Sequence, residues 1–221
     1  MGCAFVLIFA VPDFEAILFD LDGTLIDSER WHQQAELATY AEFGFRPTPD
    51  EMAESVGIPM SVTIKKLAAR HGAAMSPDDF RERHRPRLCA YIETEMTIFD
   101  DVADCLAACD GVPIGIVTSS ENWYVRKVIE RFAPHFNRFH PVVCADDAPK
   151  NKPDPSPYLY AAQLLGVDAN RCIAVEDSLN GIASAVAAGC RTVAVDRQNR
   201  LHPRSDAVRY INSLSQLLRK I

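Results

Sequence analysis

The sequence predicts an α/β fold, a parallel sheet with helices on both faces, interrupted after its first strand by an all-helical insertion. Three observations lead there. Ala16-Ile17-Leu18-Phe19 is apolar without alternation, as a strand buried on both faces is. From Phe99 onward, short apolar runs alternate with helical stretches, which implies parallel strands joined by helices. Between Glu29 and Met96 no strand pattern intervenes. The boundaries read as residues 12–27 and 97–221 for the α/β core and 28–96 for the helical insertion.

Met1 to Val11 is apolar but too short to span a bilayer. It lacks the basic start of a secretory signal, and Val6 spoils the myristoylation pattern that Gly2 begins. It reads as a tail or edge segment packed on the fold. After the first strand, Thr24 to Ser28 is expected as a tight loop. Glu29–Phe43 reads as a helix with Ser28 as N-cap and Gly44 just past its end. Thr48–Val56, Ser61–His71 and Pro77–Met96 read as further helices, the last capped by Ser76 with Pro77 in its first turn and acids following. Beyond them come a helix at Val102–Cys109, a strand at Pro113–Val117 and a helix at Asn122–Phe132. A strand at Val142–Ala145 precedes a helix at Ser156–Leu165, which ends at Gly166. Cys172–Val175 is a strand, Gly181–Ala188 a helix ending at Gly189, and Thr192–Val195 the last strand. Leu214–Ile221 closes the chain as a helix. The chain shows no internal repeat and no low-complexity linker.

Polar residues gather where the apolar runs stop. Ala16–Phe19 ends at Asp20, with Asp22 one residue further and Gly23 directly after. A buried strand that ends in two acids puts charge at the carboxyl edge of a sheet, where open α/β folds bind ligands. Such charge is costly without a cation. Mg²⁺ suits the place, because it takes oxygen ligands and keeps waters for a substrate phosphate. Read alone, this stretch also fits a solvated turn, since D-G is a common turn dipeptide. Three more clusters follow: Thr118-Ser119-Ser120 after Ile114–Val117, Lys152-Pro153-Asp154-Pro155 after Val142–Ala145, and Glu176-Asp177-Ser178 after Cys172–Val175. Lys152 alone would read as a solvated loop lysine.

Acid pair, hydroxyl, lysine and second acid pair, in that order and each beyond an apolar strand, resemble the four motifs of the haloacid dehalogenase superfamily, in its β-phosphoglucomutase/phosphatase-like branch. The resemblance runs from about Phe14 to Asp196. It implies a Rossmann-like three-layer core, a helical cap that closes over the active site, and Mg²⁺-dependent chemistry on a phosphate ester through an aspartyl-phosphate. Asp20 matches the nucleophile and Asp22 the acid/base. Two close carboxylates do not both ionise easily, which suits one of them to act as an acid. Asp177 matches a direct Mg²⁺ ligand, together with Asp20 and the backbone carbonyl of Asp22, and Glu176 matches a neighbour that orients water. Thr118 matches the hydroxyl that holds the phosphoryl group, helped by backbone N–H groups around Ser119. Lys152 matches the cation between Asp20 and a phosphate oxygen. Asn122 could contact substrate or cap its helix. His32, twelve residues past Asp20, matches a histidine of the sugar-phosphate mutases, although a lone helix histidine also fits a surface position. Gly57 marks the cap loop Val56–Met60.

Within that superfamily, Asp22 disfavours dehalogenation, and the absence of a cap lysine before Lys65 disfavours phosphonate hydrolysis. The mutase pattern carries a lysine and an arginine where this chain has Val56 and Met60. Without those two cations the grip on the far phosphate of a bisphosphate is lost. Thr24 after D-G also looks more like the phosphatases. The expectation is therefore hydrolysis of a small phosphorylated metabolite, a sugar phosphate by analogy. A β-phosphoglucomutase-like mutase and a non-catalytic phosphometabolite-binding protein are the alternatives, and the filled catalytic positions argue against the second.

Composition fits this reading. The 221 residues are enough for one core domain plus an insertion, and 48% apolar with 24% charged residues is ordinary for a globular protein. A formal charge of −7 argues against nucleic acid or an anionic membrane as the main partner. The seven cysteines (Cys3, Cys89, Cys105, Cys109, Cys144, Cys172, Cys190) are scattered with no C-x-x-C pair, as expected of small apolar side chains in a reducing cytoplasm. A zinc site at Cys105 and Cys109 would need two more suitably spaced ligands.

Overall fold

The computed structural model describes residues 14–54, 58, 60–202, 205 and 208–218. The apolar N-terminal stretch, Val56, Gly57 and Pro59 of the loop, and residues 219–221 lie outside them. The chain divides into two compact units, one running to Asp27 and resuming at Thr97, the other Ser28–Met96.

The α/β unit is built on β1 (Ala16–Phe19), every residue of which is 1% exposed or less. Burying a Leu, Ile or Phe contributes roughly 1.5–3 kcal/mol, so this short strand is a strong anchor. β2 (Ile26–Asp27) and β3 (Thr97–Ile98) form a small antiparallel pair where the chain leaves and re-enters the unit. Next come α5 (Val102–Ala108), β4 (Ile114–Val117), α6 (Asn122–Arg131), the short α7 (Ala133–Phe136) and β5 (Val142–Val143). The unit ends with α8 (Ser156–Leu165), β6 (Cys172–Glu176), α9 (Leu179–Ala187), β7 (Arg191–Val195) and β8 (Val208–Ile211). Among the described residues, six strands form one parallel sheet in the order β5-β4-β1-β6-β7-β8. This is the helix-flanked parallel sheet that the alternation predicted, in the Rossmann-like form that the resemblance implied. Leu18, Val117 and Ala174 pack with Tyr158 and Ala161 of α8 and Ala185 of α9.

Register places the site. Phe19 stands opposite Ile116 on one side and Val175 on the other, so the ends of β4, β1 and β6 are nearly level. The residues that follow therefore emerge together at the carboxyl edge.

The helical unit holds α1 (Glu29–Glu42), α2 (Pro49–Ala53), α3 (Met60–His71) and α4 (Pro77–Thr94). Its core joins Tyr40, Ile64, Leu67 and Phe80. Capping boxes start two of the helices: Thr48 with Glu51 for α2, and Ser76 with Asp79 for α4. The second is the expected cap. Glu51 also accepts from Arg70 and His71 of α3.

Several element limits differ from expectation. Ser28 precedes α1, but its side chain makes no capping hydrogen bond. The second helix of the insertion stops at Ala53. β5 ends at Val143, because the Cys144 N–H is taken by the Asp147 carboxylate. α9 begins at Leu179, two residues early, with Ser178 capping through the Gly181 N–H. The sheet's last strand is β8, where Val208 and Ile211 are buried, and Leu214–Leu218 is a 3₁₀ turn instead of an α-helix. Of the six described cysteines, five are buried and Cys89 is half-buried. No helix among the described residues is long and apolar enough to cross a membrane.

Candidate active site

Asp20 sits one residue past β1, 7% exposed, its N–H donating to Val175 O at 2.8 Å. Lys152 enters from the loop after β5, its side chain 3% exposed. The Lys152 ammonium donates to Asp20 Oδ1 at 2.6 Å, to Val117 O at 2.7 Å, and to Glu176 Oε1. Burial alone would pull this amine down, but Asp20 and Glu176 outweigh it and hold the ammonium above its ordinary value. Lys152 is therefore charged at neutral pH. Burial pushes the Asp20 carboxyl well up; Lys152 pulls it back, while Glu176 and Asp177 push it further.

Glu176, the last residue of β6, is fully buried. Its Oε1 also accepts from the Tyr158 hydroxyl at 2.7 Å, and Oε2 accepts from Ser178 Oγ at 3.3 Å. One carboxylate oxygen from each of Asp20, Glu176 and Asp177 lies within 4.8 Å of the others. Two glycines make room for this acid cluster. A Cβ on Gly23, which has φ +76°, would come 1.9 Å from Asp177 Oδ2, and one on Gly181 would come 1.9 Å from Glu176 Oε2. Three hard oxygen donors with no sulfur or imidazole among them fit Mg²⁺.

Across the strand ends, Asp22 accepts two hydroxyl bonds: Ser120 Oγ to Oδ2 at 2.6 Å and Tyr124 OH to Oδ1 at 2.6 Å. Thr118 is 3% exposed and its Oγ1 accepts from the Ser120 N–H at 3.1 Å, which folds the hydroxyl turn at the end of β4. Ser119 is exposed beside it.

The α/β unit thus brings Asp20, Lys152, Glu176 and Asp177 into one cluster, and ties Asp22 to the Thr118–Ser120 turn. Asn122 is exposed, and it is the first residue of α6 instead of its cap. The Asn122 N–H donates to Asp146 Oδ2 at 2.9 Å. His32 lies in the first turn of α1, in the helical unit, and its N–H donates to Ser28 O. Gly57 falls outside the described residues. Sequence reasoning missed Ser120, Tyr124 and Tyr158. Ser120 stood next to a chosen residue, whereas nothing local marks either tyrosine, because their partners are 102 and 18 residues away.

A family model for haloacid dehalogenase-like hydrolases matches residues 17–195. The chain belongs to that family. It is 31% identical to hexitol phosphatase B of Escherichia coli K12 over 184 residues, 81% of this chain and 82% of that protein. It is 30% identical to N-acetylmuramic acid 6-phosphate phosphatase of Pseudomonas aeruginosa, covering 86% and 84%. Its fold superposes on CbbY from Rhodobacter sphaeroides, solved with phosphate, with a TM-score of 0.80, 27% identity, and 92% and 96% of the two chains covered. Family and relatives make this hydrolase an enzyme of the phosphatase type.

Proposed function

We propose that this hydrolase cleaves the phosphate ester of a small metabolite, a phosphorylated sugar or sugar derivative, with Asp20 as nucleophile and Mg²⁺ as cofactor. The observation that carries the reading is the buried Lys152 ammonium held between Asp20 and Glu176. A lysine with two carboxylates at a sheet edge is expensive to build and has no packing purpose that an apolar side chain would not serve better.

Lys152 binds one oxygen of Asp20, which leaves the other for attack on phosphorus. Asp20, Asp177 and Glu176 would hold the metal, with the Asp22 carbonyl as a further ligand by resemblance; the cation, once bound, neutralises phosphoryl charge. In the first step an Asp20 oxygen bonds to phosphorus, the ester P–O bond breaks, and the departing alkoxide takes a proton from Asp22. In the second, Asp22 takes a proton from water, the resulting hydroxide attacks phosphorus, and Asp20 leaves with inorganic phosphate released. With the Ser120 and Tyr124 hydroxyls both donating to it, the Asp22 carboxylate is arranged to take up a proton in the second step. To donate in the first, it must be protonated and one of those hydroxyls must turn round to accept. Thr118, just past the carboxyl end of β4, supplies a hydroxyl for the phosphoryl oxygens.

The substrate class rests on the relatives, which are named for hexitol phosphate and N-acetylmuramic acid 6-phosphate hydrolysis. The helical unit, residues 28–96, is read by resemblance as the part that selects among esters, and Met60, 42% exposed where a mutase carries arginine, supports hydrolysis over phosphoryl return. The test is a panel of sugar phosphates with Mg²⁺, comparing the wild type with Asp20→Asn. Phosphate release by the wild type and none by the variant, at an unchanged or raised melting temperature, is expected. Retained turnover in the variant overturns the nucleophile. Conversion of β-glucose 1-phosphate to glucose 6-phosphate faster than phosphate release, with a bisphosphate primer, overturns the hydrolytic reading.

A further inference from the structure

The loop that carries Asp22 closes on itself. The N–H groups of Leu25 and Ile26 donate to Leu21 O, and that of Gly23 donates to Ile26 O. Thr24, at the tip, is fully buried, and its carbonyl receives its hydrogen bond from far along the chain. Arg197, two residues past β7, donates to Thr24 O through Nη2 at 3.1 Å. The same guanidinium forks onto Asp101, with both contacts at 2.9 Å, and lies 3.8 Å from the centroid of the Phe99 ring. Phe99 in turn donates its N–H to Leu25 O at 3.2 Å. Asp101 is itself fixed by Ser213 Oγ at 2.6 Å and the Leu214 N–H at 2.8 Å.

One planar cation therefore grips both chain crossings of the unit, the loop after β1 and the segment after β3, and fastens them to the sheet's far edge. We propose that Arg197 is a positioning residue: by holding the Thr24 carbonyl it sets where the Asp22 carboxylate stands, and with it the delivery of a proton to the leaving group. The inference rests on Asp22 being the acid/base. Asp22 lies two residues from the gripped carbonyl, inside a loop only six residues long, so a shift at the tip is passed to it. A fork, a third acceptor and a stacked ring together suit guanidinium and not ammonium, which lacks the plane and the fixed spacing of donors.

Arg197→Lys and Arg197→Met separate this from general destabilisation. Hydrogen exchange followed by mass spectrometry reads the loop directly, whatever the activity. In Arg197→Met the peptide spanning residues 20–26 is expected to exchange about tenfold faster or more, while the β6 peptide is unchanged. Hydrolysis is then compared on 4-nitrophenyl phosphate, whose leaving group departs with little proton help, and on an alkyl phosphate, which needs it. Both variants should lose about tenfold or more activity on the alkyl ester relative to the aryl ester, part of the 10²–10⁴ that a general acid supplies. Asp101→Asn, which spares the Thr24 contact, should show the same skew more weakly. Unchanged exchange in the loop, or equal losses on the two esters, overturns the proposal. A wild type that hydrolyses neither ester with Mg²⁺ sinks the functional reading, and exchange in the 20–26 loop then decides the clamp by itself.

Discussion

Replacing Lys152 by methionine removes one ammonium and keeps a side chain of similar length. In the wild type that ammonium satisfies Asp20, Glu176 and the Val117 carbonyl at once, with 3% of the side chain exposed. Methionine takes the ammonium's hydrogen bonds from Asp20, Glu176 and the Val117 carbonyl, and leaves Glu176 only the Tyr158 and Ser178 hydroxyls. Removing one partner of a buried ion pair costs roughly 3–5 kcal/mol. For a chain of this size each kcal/mol lowers the melting temperature by about 2–4 °C, so a fall of about 6–20 °C is expected at pH 8. The loss should depend on pH. Asp20 is pushed above its unfolded value by burial, and by Glu176 and Asp177, even with Lys152 in place; without the lysine the push grows. A group raised in the folded state stabilises below its unfolded pKa, and that contribution is lost as pH rises through the folded value. Acidification from pH 8 to about pH 5 should therefore narrow the gap between wild type and variant as the carboxyls take up protons. Turnover should fall by about 10²–10³ or more, as for the loss of a charge-stabilising donor. Differential scanning calorimetry at the two pH values and phosphate release measure both effects. A melting temperature within about 2 °C of wild type at pH 8, or an equal deficit at both pH values, would refute the reasoning.

Four further outcomes are expected. Gly181→Ala places a methyl 1.9 Å from Glu176 Oε2, so it should cost about 1–3 kcal/mol by urea denaturation and depress kcat, despite alanine's better helix propensity. Glu51 is held down to about 2, first by the Thr48 N–H and then by Arg70 and His71. A depressed carboxyl stabilises above its unfolded pKa and loses that contribution as pH falls, so the melting-temperature advantage of wild type over Glu51→Gln should shrink between about pH 5 and pH 2. Mg²⁺ at 100 times its dissociation constant should add about 2.7 kcal/mol of stability, and EDTA should abolish hydrolysis. Asp177→Asn should lose the Mg²⁺-dependent stabilisation, and an undiminished thermal shift in that variant would remove Asp177 from the ligand set.

The parallel core and its four polar clusters were readable because each lies at a place where an apolar run stops, a signal within a few residues of sequence. What surrounds them was not. The Asp22 partners Ser120 and Tyr124 meet it only when β4 pairs with β1, across 98 and 102 residues. Tyr158 reads as an ordinary helix aromatic until β6 brings Glu176 against it. β8 escapes a sequence reading because Val-Arg-Tyr-Ile is short and shows neither an unbroken apolar run nor a period of two, with only its end residues Val208 and Ile211 buried. Ser28 had the right residue type at the right position, but its backbone is αR where a capping serine is extended.

The β2/β3 pair carries a consequence for how such enzymes diversify. Ile26 stands opposite Ile98 and Asp27 opposite Thr97, so the exit and return points of the intervening segment share one rung. Facing residues in an antiparallel pair are only about 4.5–5.5 Å apart, whatever the length of chain between them. A segment of another size or pattern spliced between those rungs would meet the same two anchorages and leave the pairing of β1 with its neighbours undisturbed. Selection can thus exchange the intervening segment while inheriting the hydrolytic machinery intact.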